Sequence, residues 1–204
     1  MRINKKKFIY LISPNKIYPE FYHDLNQILR TGKVALFQLR LKKYSLKQKI
    51  VIGKKIQQIC KKNNIKFIVN DDPILSKTLN ADGCHLGQKD MDIKNARKII
   101  GKKIIGVTCH NSIKLAKAAI KENADYIAFG AFFSTKTKKV IFKADIKILN
   151  KIKKLTKTPI VAIGGINFDN YKKLLLNNAN LLAISSYVWN NKKYKPLETI
   201  EKLK

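Results

Sequence analysis

Eight short apolar runs punctuate the chain, at 8–12, 34–39, 66–69, 83–86, 103–107, 126–129, 159–163 and 181–184. Runs of this length, rich in Ile, Val, Phe and Tyr and bounded by turn residues, predict buried β-strands. Between them the apolar positions recur at helical spacing. Helices are predicted at 18–29, 45–63, 75–79, 93–100, 112–123, 145–155 and 167–177, with a last one opening at Pro196. The first presents Phe21, Leu25, Ile28 and Leu29 on one face and ends at Gly32. The second puts Ile52, Ile56 and Ile59 inside and lysines outside. Ser45 and Ser112 stand where N-caps belong. Strands that are apolar throughout are buried on both faces, the mark of a parallel sheet covered by helices. Eight strand–helix units therefore predict an α/β fold, a (β/α)8 TIM barrel, with residues 1–204 as a single catalytic domain. A doubly wound sheet is the competing architecture, but no GxGxxG follows the first strand, which weakens a dinucleotide-binding reading.

Composition modifies this picture in few ways. Apolar residues make up 45% of the chain, so it can bury a core despite a formal net charge of +30. That charge attracts phosphate, nucleic acid and acidic surfaces. Without zinc-finger spacing or an aromatic–basic RNA motif, it predicts only non-specific polyanion binding. The three cysteines show no CxxC spacing and read as reduced thiols. The basic start is followed by an apolar run, 8–12, that is too short for a signal peptide. No run approaches the about 18 apolar residues of a membrane span. The expectation is a soluble cytoplasmic protein with no membrane partner, acting on small molecules, with room for a homo-oligomer.

The chemistry concentrates at the C-terminal ends of the predicted strands, where barrels carry their sites. Five of the thirteen acidic residues fall within 71–92 of this basic chain. Asp71 follows the third strand and Asp90 follows the fourth. Two carboxylates so placed suit a hard cation such as Mg²⁺; alternatively Asp71 and Asp72 simply cap a helix before Pro73. Gln38, Arg40 and Lys42 alternate along an extended segment and can face one anion, although lysines here also fit a solvated face. The loop after the sixth strand alternates hydroxyls with cations, Thr135, Lys136, Thr137 and Lys138. Gly164-Gly165 and Ser185-Ser186 end the last two strands, the place of the recurrent barrel phosphate site. Tight packing would also demand the glycines. Together these describe a diphosphate held by metal and cations beside a second, phosphorylated substrate, with diphosphate as the natural leaving group.

Seven motifs in order carry a resemblance that spans nearly the whole chain: QLRLK at 38–42, ND at 70–71, ADGCHLGQKD at 81–90, GVTCH at 106–110, TKTK at 135–138, AIGGI at 162–166 and AIS at 183–185. The chain resembles the thiamine phosphate synthase family. The resemblance implies a (β/α)8 transferase joining hydroxymethylpyrimidine diphosphate to thiazole phosphate, with release of diphosphate. It implies that Gln38, Arg40, Lys42, Asn70, Thr108 and Lys138 bind the pyrimidine diphosphate. Among them, Lys138, Arg40 and Lys42 would act on the departing group. Asp71 and Asp90 would bind Mg²⁺, and Thr135, Thr137, Gly165, Ile184 and Ser185 would hold the thiazole phosphate. The family's mechanism is dissociative: the carbon–oxygen bond breaks to a pyrimidine-stabilised carbocation before the thiazole nitrogen attacks. No histidine base is needed, so His85 and His110 read as structural or positioning residues.

The chain also departs from the pattern. Thr108 replaces the family's usual serine, keeping the hydroxyl. The family's proline-bearing GPIFPT loop reads Gly130-Ala131-Phe132-Phe133-Ser134-Thr135 here, and 140–143 does not match. A related thiazole tautomerase is the nearest alternative, though its type member carries a histidine where this chain has Ala131. A non-catalytic barrel binding phosphate or nucleic acid is the other.

Overall fold

In the computed structural model, residues 7–134 and 142–204 are described. Eight parallel strands close into a barrel in sequence order. They are β1 (Ile9–Ile12), β2 (Val34–Leu39), β3 (Lys66–Asn70), β4 (Gly83–Leu86), β5 (Ile104–His110), β6 (Tyr126–Phe129), β7 (Ile160–Ile163) and β8 (Leu181–Ile184). The connecting helices are α1 (Phe21–Arg30), α2 (Leu46–Lys62), α3 (Pro73–Thr78), α4 (Ile93–Ile100), α5 (Ile113–Lys121), α6 (Lys147–Lys153) and α7 (Tyr171–Leu176). After β8 come α8 (Ser186–Trp189) and α9 (Pro196–Lys202). The barrel inferred from the strand–helix alternation is therefore the observed fold. No helix among the described residues is long and apolar enough to cross a membrane.

Local chemistry accounts for most of the boundaries. Ser45 and Gln48 form a reciprocal capping box at the start of α2, and the Ser112 hydroxyl accepts from Leu115 N at α5. Gly32 takes a positive φ just past α1. Three expectations need correction. The fifth strand runs on to His110 instead of stopping at Val107. The helix after β7 opens at Tyr171 instead of Asn167, because Asn167 and Asn170 first make their own turn. Ser186 does not sit in a loop; it begins α8, whose Trp189 Nε1 donates to Ile12 O at 2.6 Å.

Strand side chains alternate between two layers. Outward residues such as Leu11, Phe37, Val69, Ile105 and Ile127 pack with the helices into the larger core. Inward residues, among them Leu36, Ile68, Val161 and Leu181, pack with Tyr10 and Tyr126 inside the barrel. These two tyrosine rings meet edge to face at 5.7 Å between centroids.

Room for Tyr126 comes from Gly106 on the neighbouring strand, where a Cβ would lie 1.8 Å from the tyrosine Cζ. A rigid, fully buried ring cannot step aside. Gly106→Ala is therefore expected to destabilise the fold by on the order of 1–3 kcal/mol through overpacking. Denaturant titration checks this, and an unchanged midpoint would show that the barrel interior absorbs the methyl group.

Candidate active site

The five clustered acidic residues divide into two groups. Asp72 is the N-cap of α3, accepting from Leu75 N at 2.9 Å, and Asp92 caps α4 in the same way. Asp82 ties β3 to β4 by accepting from Phe67 N and pairing with Lys66. Asp71 and Asp90 cap nothing. The alternative in which Asp71 and Asp72 share a helix cap thus holds for Asp72 alone.

Asp71 sits at φ 66°, a left-handed conformation that aspartate tolerates better than most residues. The turn is secured by Asp71 N donating to His85 O at 2.7 Å. Asp90 is held across a tight turn, its Oδ2 accepting from Gly87 N at 2.7 Å. Burial pushes the Asp90 carboxyl above the ordinary carboxylate range; the Gly87 bond opposes that, and the facing Asp71 carboxylate adds to the rise. The two facing carboxylates form an oxygen-donor set suited to a divalent cation. Among the described residues there is no larger cluster of metal-ligating side chains.

Asp71 is the common neighbour of the site. It pairs with Lys42 at 3.1 Å, and its charge is felt at Arg40, His85 and Asp90. The Lys42–Asp71 pair is half-exposed, so it contributes little stability and can be exchanged for a cation on one side and an anion on the other. Arg40 is anchored by its backbone N donating to Ser13 Oγ at 2.9 Å. Burial draws its guanidinium below the ordinary value, and Asp71 counters this. A cavity of about 210 Å³ lies on the flank of the pair, lined by Lys42, Lys49, Asn70, Asp71 and Asp72 over Leu39 and Val69. Leu39 and Val69 point away from the barrel axis, so this space borders the site and is not its centre.

Gln38 is buried and does not share the open face with Arg40 and Lys42 that the two-residue spacing suggested. Its Nε2 donates to Tyr10 Oη at 2.7 Å. Tyr10 Oη meets Tyr126 Oη at 2.8 Å, Tyr126 Oη meets His85 Nδ1 at 2.9 Å, and His85 Nε2 meets Thr108 Oγ1 at 2.8 Å. Gln38 and Thr108, on β2 and β5, are thus joined through the barrel interior. Tyr10 and Tyr126 were read from the sequence only as buried strand residues. The legible signal for them was a tyrosine hydroxyl in an apolar run, which needs a partner when buried.

His85 is buried, and that burial lowers its pKa from 6.5 to about 4; Asp71 opposes the shift and Arg40 adds to it. As pH falls, the unfolded chain takes the proton first. This group's contribution to stability is therefore complete above about 6.5 and is lost toward pH 4, a difference of about 3 kcal/mol. Urea midpoints at neutral and mildly acidic pH should accordingly fall further for the native chain than for His85→Gln. Equal falls would place the acid sensitivity elsewhere.

At the opposite rim, Gly164 and Gly165 take φ 105° and 64°. A Cβ on Gly165 would lie 2.3 Å from Ser134 O, and one on Gly164 would lie 2.4 Å from Ala131 Cβ. The glycines thus answer a packing demand of the loop after β6, whatever ligand they also serve. Ser185 Oγ donates to Ser13 O at 3.2 Å, and Ile184 is buried at the end of β8. Thr135, Thr137 and Lys138 lie outside the described residues.

Residues 9–188 match the family model described as thiamine monophosphate synthase. The chain belongs to that family. The Pelagibacter ubique thiamine-phosphate synthase is 65% identical over 208 aligned positions, covering 100% of both chains. The Erythrobacter litoralis thiamine-phosphate synthase is 40% identical over 186, covering 89% of this chain and 87% of its own. A thiamine phosphate pyrophosphorylase from Pyrococcus furiosus superposes with a TM-score of 0.85 at 31% identity, covering 98% of this chain and 94% of that one. As a thiamine monophosphate synthase family member, the chain is a transferase of thiamine biosynthesis.

Proposed function

We propose that this chain makes thiamine phosphate from hydroxymethylpyrimidine diphosphate and thiazole phosphate at the C-terminal mouth of the barrel, with Mg²⁺ held by Asp71 and Asp90. The observation that carries this reading is the facing pair Asp71 and Asp90 with Arg40 and Lys42 beside it, in a chain of this family. When bound, Mg²⁺ would supply positive charge to the departing diphosphate.

The remaining work belongs to the chain's own residues. Arg40 and Lys42 hold diphosphate oxygens, and Lys138 adds charge as the bond breaks. Gln38, Asn70 and Thr108 orient the pyrimidine. Thr135, Thr137, Gly165, Ile184 and Ser185 hold the thiazole phosphate with its nitrogen aimed at the carbon that the diphosphate leaves. The carbon–oxygen bond breaks first, so positioning and leaving-group stabilisation replace base catalysis. In keeping with this, His85 is engaged at both ring nitrogens and is unavailable as a general base.

Incubation of the protein with both substrates and Mg²⁺ tests the proposal. Thiamine phosphate and diphosphate should appear in equal amounts and should require all three components. Absence of thiamine phosphate would refute the activity, and full turnover in chelator would refute the metal.

A further inference from the structure

The chain of buried hydrogen bonds from Gln38 to Thr108 has a direction. A phenol carries one proton. Tyr10 Oη accepts from Gln38 Nε2, so its own proton has Tyr126 Oη as its acceptor. The Tyr126 proton then goes to His85 Nδ1. His85 must carry its hydrogen on Nε2, where it donates to Thr108 Oγ1. Any assignment that keeps the Gln38 donor and protonates Nδ1 strands a buried hydroxyl proton, which costs the desolvation of that group. Among the described residues only Tyr187 Oη is a buried side-chain polar atom without a partner, so the network is otherwise complete.

The consequence falls at the mouth of the barrel. Thr108 Oγ1 receives a hydrogen bond from within and keeps its own proton to give. Were Gln38 turned so that its carbonyl faced Tyr10, every bond would reverse. Thr108 would then donate inward and present only lone pairs outward. An anionic ligand is served by the first polarity and repelled by the second.

We propose that Gln38, Tyr10 and Tyr126 fix His85 as the Nε2–H tautomer and so make the Thr108 hydroxyl a hydrogen-bond donor toward the pyrimidine diphosphate. Tyr10, Tyr126 and His85 are positioning residues in this scheme, acting through Thr108. The inference rests on the reading of Thr108 as a contact of that substrate.

The test begins with the free native protein carrying ¹⁵N-labelled histidine. Long-range proton–nitrogen NMR distinguishes the tautomers, and with three histidines the His85 signals are assigned by their loss in His85→Gln. A single Nε2–H tautomer is expected. An Nδ1–H tautomer or a mixture overturns the polarity without touching the substrate assignment. Tyr126→Phe removes the proton aimed at Nδ1. It should mix the tautomers and lower kcat/KM by about tenfold at temperatures where the variant is folded.

A Tyr126→Phe variant with an unchanged tautomer and unchanged kcat/KM would mean that the tyrosine only fills space. If that variant fails to fold, Tyr10→Phe poses the same question one bond further along. Thr108→Val should lose activity by about tenfold or more, and Thr108→Ser, which keeps a hydroxyl, should lose less than Thr108→Val. Full activity of Thr108→Val alongside the expected tautomer would refute the substrate contact while leaving the network standing.

Discussion

Asp71→Asn lowers Mg²⁺-dependent turnover by at least about tenfold, equivalent to roughly 1.4 kcal/mol in the barrier, and leaves the fold intact. The substitution is isosteric, and asparagine accepts the positive φ of 66° that Asp71 adopts, so the backbone turn over β4 survives. What changes is charge. Asp90 loses the facing carboxylate that helped to push its pKa up, and the proposed metal site keeps one carboxylate in place of two. Lys42 loses a half-exposed partner, a minor matter for stability. Asp72→Asn is the control. Asp72 is a helix cap, asparagine caps as well as aspartate, and neither turnover nor stability should move much. Steady-state rates across a Mg²⁺ titration decide the issue. A normal rate for Asp71→Asn, or equal losses in the two variants, would sink the metal assignment.

Lys138→Ala lowers kcat by on the order of a hundredfold or more, comparable to losing one oxyanion donor, while Lys139→Ala does little. Lys138 lies outside the described residues, but both flanks of its segment are anchored at the rim of the site. Ser134 O packs against Gly165, 2.3 Å from where a Cβ there would lie, and Phe142 stacks on His110 with ring centroids 4.3 Å apart. The hydrogen bonds from Ala131 N to Phe142 O and from Ala144 N to Ala131 O tie the returning chain down. Lys138 is four positions along the chain from Ser134 and four from Phe142. A cation used as the carbon–oxygen bond breaks is felt in kcat more than in ground-state binding. Single-turnover kinetics on both variants separates the two effects. Equal losses at Lys138 and Lys139 would mean that the segment contributes general positive charge and that Lys138 has no special role.

The alternation of strands and helices was open to view in the sequence because it is a local pattern. A parallel strand buried on both faces needs an apolar run, and a helix on the barrel's outside needs one apolar face. Caps at Ser45 and Ser112 were legible for the same reason, since the groups they satisfy lie within a few residues. The motifs at the strand ends were legible as a set, because a barrel gathers those ends at one mouth.

What the sequence left open were partnerships. Five aspartates in one stretch look alike until the fold shows that Asp72, Asp82 and Asp92 satisfy nearby backbone groups and that only Asp71 and Asp90 face each other. Gly106 looks like any strand glycine until the Tyr126 ring is placed against it. Tyr10 and Tyr126 lie 116 residues apart, and nothing local to either signals that their hydroxyls meet inside the barrel or that His85 completes the chain to Thr108. Periodicity along a chain records which side of an element is dry. Which donor meets which acceptor across the dry interior is set by barrel closure and strand register, and these exist only once all eight strands have paired.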